Sequence, residues 1–75
     1  MIIVQNISNG EIGLFITGGA KMALVSQTSG NIFTVTSGTA SKVNVYLNAN
    51  VVTIQNNIGS SQDFMVTMIR TRNQT

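Results

Sequence analysis

Turn-forming residues recur along this chain at intervals of about eight to twelve positions, and the segments between them are dominated by β-branched side chains. Nine Ile, eight Val and nine Thr lie in a sequence of 75 residues. Such side chains lose rotamer freedom in a helix but pack well on a pleated sheet. The 3.6-residue apolar period of an amphipathic helix is missing. The pattern predicts an all-β fold: a small antiparallel meander forming a sandwich or barrel-like module of six or seven short strands, within one domain spanning residues 1–75 and ending in a polar tail at 71–75.

The strands are bounded by their turns. Ile2 to Ile7 is closed by Ser8-Asn9-Gly10-Glu11, in which Asn9-Gly10 suits the positive φ angles of a tight hairpin. Ile12 to Thr17 runs into Gly18-Gly19, Lys21 to Gln27 into Thr28-Ser29-Gly30-Asn31, and Ile32 to Ser37 into Gly38-Thr39-Ala40-Ser41. Lys42 to Asn48, Val51 to Asn56 and Asp63 to Arg70 complete the set. The Thr-Ser-Gly triplets at 28–30 and 36–38 are repeated turn chemistry, too short to make a stacked repeat.

Alternation assigns faces. Val43, Val45 and Leu47 share one face of their strand, while Lys42, Asn44 and Asn48 share the other, which is expected to be solvated. Val52 and Ile54 point inward, Thr53 and Gln55 outward. In the last strand Phe64, Val66 and Met68 form the expected core row. Three strands, however, are apolar on both faces: Ile2 and Val4 oppose Ile3 and Ile7, Phe15 opposes Ile12, Leu14 and Ile16, and Met65 and Ile69 oppose Phe64. A two-layer domain uses one apolar face per strand, so the second needs a cover. A domain of this size buries little over half of its unfolded surface, and natural examples lean on disulfides, metals or oligomerisation. With Cys and His absent, oligomerisation is what remains, a trimer being preferred. Ile2, Val4, Phe15, Tyr46, Met65 and Ile69 are the expected interface residues.

Only six residues are charged, and thirty are Ser, Thr, Asn or Gln. General acid–base catalysis draws on His or a tuned carboxylate, and Glu11 and Asp63 are the only acids. A hydroxyl nucleophile needs a base, and the spacing of Lys21 and Lys42 singles out no partner for one. Gly18-Gly19-Ala20-Lys21 lacks the length, the following Ser or Thr and the helix of a phosphate loop. Two separated acids do not make a calcium site, save as a ring of Asp63 about an oligomer axis. The sequence therefore predicts no catalytic residue, no cofactor and no resident metal.

The net charge of +2 comes with Arg70 and Arg72 as the only neighbouring cations, too small a footprint for nucleic acid. Met1 to Val4 has neither a basic leader nor a long apolar core, which predicts no signal peptide, synthesis in the cytoplasm and no membrane insertion. Asn6-Ile7-Ser8 and Asn73-Gln74-Thr75 match the glycosylation pattern and are read as chance in so amide-rich a chain. Two functions stay in contention. One is a non-enzymatic structural protein, a small virion, spike, fibre or coat-decoration component working as a homo-oligomer with other structural proteins. The other is a carbohydrate-binding or adhesive module, in which Tyr46 stacks on a sugar while Asn44 and Asn48 bind its hydroxyls.

Overall fold

A computed structural model describes residues 1–18 and 20–69. The described residues form an all-β fold of seven short strands in two sheets: β1 (Ile2–Asn6), β2 (Ile12–Gly18), β3 (Lys21–Gln27), β4 (Phe33–Thr34), β5 (Val43–Asn48), β6 (Val51–Asn56) and β7 (Phe64–Met68). The first sheet has the order β3-β2-β1-β7 and is fully antiparallel, and the second has the order β4-β5-β6. No helix among the described residues is long and apolar enough to cross a membrane. The expectations on Gly19, Arg70, Arg72, the 71–75 tail and the Asn73 triplet lie outside the described residues.

The core lies between the sheets. Ile2, Val4 and Phe15 come from the first sheet, and Phe33, Val43 and Val45 from the second. The Phe15 and Phe33 rings meet edge to face, with centroids 6.0 Å apart. Gly13 makes this meeting fit, because a Cβ there would stand 2.9 Å from both rings. Met22, Leu24, Val52, Ile54, Ile58 and Phe64 close the rim.

One pairing departs from the meander. Ile32 to Ser37 is not a full strand with a hairpin at Gly38; β4 has only Phe33 and Thr34, and it runs parallel to β5. Residues 35–42 instead loop over the outer side of the second sheet. The chain turns there through Gly38, with φ +82°, and Ser41, with φ +62°. What anchors β4 is a side chain. The Gln27 amide at the end of β3 accepts from Phe33 N–H at 3.0 Å and donates to the Phe33 carbonyl at 3.4 Å, taking the place of a neighbouring strand and tying the two sheets together.

The first hairpin also differs in detail. Gly10 has φ +78°, as its place in the turn requires, but Asn9 is not in the left-handed region. Asn9 Oδ1 instead accepts from Glu11 N–H at 3.0 Å, the local bond typical of Asn in turns. The β5–β6 hairpin does have two successive left-handed residues, Ala49 (φ +50°) and Asn50 (φ +65°), which match a two-residue turn to the strand twist. A register shift between Leu14 and Phe15 leaves Val25 unpaired as a bulge in β3.

The expected rows of β7 need correction. Phe64, Val66 and Met68 pair with Asn6, Val4 and Ile2, so they do lie on the core side of the sheet. Only Phe64 packs against the core; Val66 is 41% and Met68 54% exposed. The second sheet lies over the β3 side of the first and leaves the β7 side overhanging.

Candidate functional site

Polar groups that sequence reasoning set aside for chemistry or recognition are used by the fold. Asn44 is fully buried, although alternation puts it on the outer side of β5. It belongs to a row formed by Thr34, Asn44 and Gln55 on β4, β5 and β6. Thr34 Oγ1 donates to Asn44 Oδ1 at 2.6 Å, and Asn44 Nδ2 donates to the Thr39 carbonyl at 3.1 Å and to Gln55 Oε1 at 2.9 Å. Gln55 Oε1 also accepts from Gly38 N–H at 2.8 Å, so the row holds the 35–42 loop down as a strap. Asn44 is therefore unavailable to a glycan. Tyr46, half-buried opposite Thr53, and the exposed Asn48 remain at the surface without it.

Asn6 is likewise fully buried. Its Nδ2 donates to Gln62 Oε1 at 3.0 Å and its Oδ1 accepts from Ser8 N–H at 2.9 Å, tying the first hairpin to the segment before β7. Glu11 Oε1 accepts from Thr28 Oγ1 at 2.9 Å and from Gly30 N–H at 2.6 Å, clasping two neighbouring turns. Lys42 Nζ donates to the Asn31 carbonyl. Among the described residues no three His, Cys, Asp or Glu side chains cluster where they could hold a metal ion.

The six residues expected at an interface divide sharply. Ile2, Val4 and Phe15 are the centre of the single chain's own core, each at most 1% exposed, and their assignment to an interface is corrected. Alternation separates the two rows of these strands, and the row expected to face outward is the one that the second sheet covers. The outer row is Ile3 on β1 with Ile12, Leu14 and Ile16 on β2, of which Ile12 and Ile16 are exposed. Met65 and Ile69, on the outer side of β7 and just beyond it, are exposed at 54% and 48%. Tyr46 is only partly open.

The result is a surface whose distinctive chemistry is apolar. Across the first sheet Val25, Ile16, Ile12 and Met65 face outward, and at its β7 side Val66 and Met68 are open on the inner face as well. Where the overhang meets the end of the second sheet, an open groove of about 340 Å³ is lined by Ile2, Thr17, Leu47, Val52, Met68 and Ile69. Exposed Val66 and Met68 escaped sequence reasoning because their alternation is that of a core row, and only the offset of the second sheet uncovers them. The chain matches no protein-family model, no curated protein and no solved structure with which it was compared.

Proposed function

We propose that this chain is a non-enzymatic structural module that works by self-association, a homo-oligomeric building block of a larger assembly of the virion, spike, fibre or coat-decoration kind, in company with other structural proteins. The observation that carries the reading is the exposure of large apolar side chains on both faces of β7 and across the outer face of its sheet. Burial of apolar surface contributes roughly 25 cal/mol per Å², so covering even part of this surface matches the small net stability of a domain. The alternative of an adhesive, glycan-binding module has less support, since Asn44 is spent on holding the strap and only Tyr46 and Asn48 remain of its three residues. Light scattering coupled to size exclusion tests the proposal across a concentration series. The expected mass is a multiple of the 8.0 kDa chain. A monodisperse monomer up to the limit of solubility would falsify it.

A further inference from the structure

Resting on that reading, the structure points to the contact through which self-association begins: we infer that β7 pairs edge to edge with β7 of a second copy, antiparallel about a twofold axis at Val66. Four strands end the two sheets, β3 and β7 in one and β4 and β6 in the other. Three of these edges are obstructed or polar. The β3 edge carries the Val25 bulge and the charge of Lys21, devices that discourage strand addition. At β4 the Gln27 amide already occupies Phe33 N–H and C=O. Outward from β6 stand Thr53 and Gln55, with only Val51 strongly exposed among its apolar residues. By contrast β7 reads Phe-Met-Val-Thr-Met, with no charge, no proline and no bulge, and it has no strand on its far side among the described residues.

The backbone fixes the register. Ile7 N–H donates to the Asp63 carbonyl at 2.8 Å and Ile69 N–H donates to the Met1 carbonyl at 2.9 Å, so the odd-numbered residues of this segment turn their polar groups towards β1. In an antiparallel ladder the residues between them turn theirs the other way. Phe64, Val66 and Met68 therefore present N–H and C=O groups to the open edge. Antiparallel pairing of two such edges uses every one of these groups in one register only, with Val66 opposite Val66 of the partner subunit and Phe64 opposite Met68 of the partner subunit. The inner side then joins apolar residues to apolar residues, while Met65 meets Thr67 of the partner subunit on the outer side. No charged side chain of the described strand is desolvated. The edge is thus self-complementary, as an isologous contact demands. Such a contact is twofold, so even-numbered assembly replaces the trimer expected from sequence. A pair of edges this short buries on the order of 1,000 Å² in total, the low end for specific interfaces, and gives a concentration-dependent dimer.

The chain has no cysteine, so single cysteines report on this contact alone. On the axis, Val66→Cys brings the two Cα atoms to about 5.5 Å, within disulfide reach, whereas Thr67→Cys leaves them about 8 Å apart, beyond it. Mild oxidation should convert Val66→Cys to covalent dimer at least tenfold faster than Thr67→Cys. A companion variant, Val66→Pro, removes an outward N–H without touching the ladder to β1, a position where edge strands accept proline. It should remain folded by circular dichroism and become monomeric. An oligomeric wild type whose Val66→Pro variant still associates, or whose two cysteine variants cross-link alike, overturns the edge pairing but leaves self-association standing. A monomeric wild type overturns both. If Val66→Pro fails to fold, the cysteine contrast alone decides: selective cross-linking at Val66 upholds the pairing and its absence overturns it.

Discussion

Gly13 and Val66 flank Val4 on the same side of the same sheet, and they live in opposite surroundings. Gly13 is buried so tightly beneath the rings of Phe15 and Phe33 that even one added carbon collides with them. Val66 is 41% exposed. Both are direct neighbours of a fully buried valine, so the difference owes nothing to local sequence or to strand register. It comes from the placement of the second sheet, which covers the inner face of the first across β3, β2 and β1 and leaves β7 as an overhang. The lesson is that alternation decides which side of a sheet a residue takes, while burial depends on how far the opposing layer extends.

The two halves should respond to mutation very differently. Phe33→Ala removes the ring through which the second sheet grips the first, and should cost about 3 to 5 kcal/mol in denaturant unfolding. Truncating the overhang with Met68→Ala should leave the stability of the monomeric fold within about 0.5 kcal/mol. A loss at Met68 comparable to that at Phe33, measured on monomer, would erase the contrast. More finely, Gly13→Ala overpacks the covered half and should cost about 1 to 3 kcal/mol, with Val66→Ala close to neutral in the same measurement. A gain in place of a loss is expected in the β5–β6 turn, away from both halves. Ala49 sits at φ +50°, where Asn is tolerated better than Ala, so Ala49→Asn should raise stability by up to about 1 kcal/mol without altering either half. A fall in melting temperature for that variant would show that the turn is not strained by its alanine.

Much of this architecture is legible in the sequence. β3 and β6 run between the residues that their flanking turns predict, and the inward row Val43, Val45 and Leu47 is where alternation puts it. The short β4 is not legible, because its position depends on two amides, Gln27 and Asn44, that reach it from elsewhere in the chain. Asn44 itself looks like a solvated residue until the loop just before its strand folds back over it, and no alternation pattern announces such a return. The outer row at β7, Met65 and Ile69, was readable for the opposite reason: those residues stay where the pleat leaves them. In β1 and β2 the sequence presents two apolar rows of similar quality, so nothing in the alternation of Ile2 to Ile7 says which row meets the Phe33 side.

The strap across Thr34, Asn44 and Gln55 makes the molecule two-sided in a way that limits how it can grow. Its loop lies along the back of the second sheet and engages Asn44 and Gln55, so the open part of that face is reduced to its far end, around Tyr46, Asn48, Val51 and Thr53. Most of the exposed large apolar side chains lie instead on the first sheet, along β7 and across its outer face. Under the proposed edge pairing, the isologous contact at β7 closes on itself as a pair, and growth beyond the pair falls to the outer face as a second, separate contact.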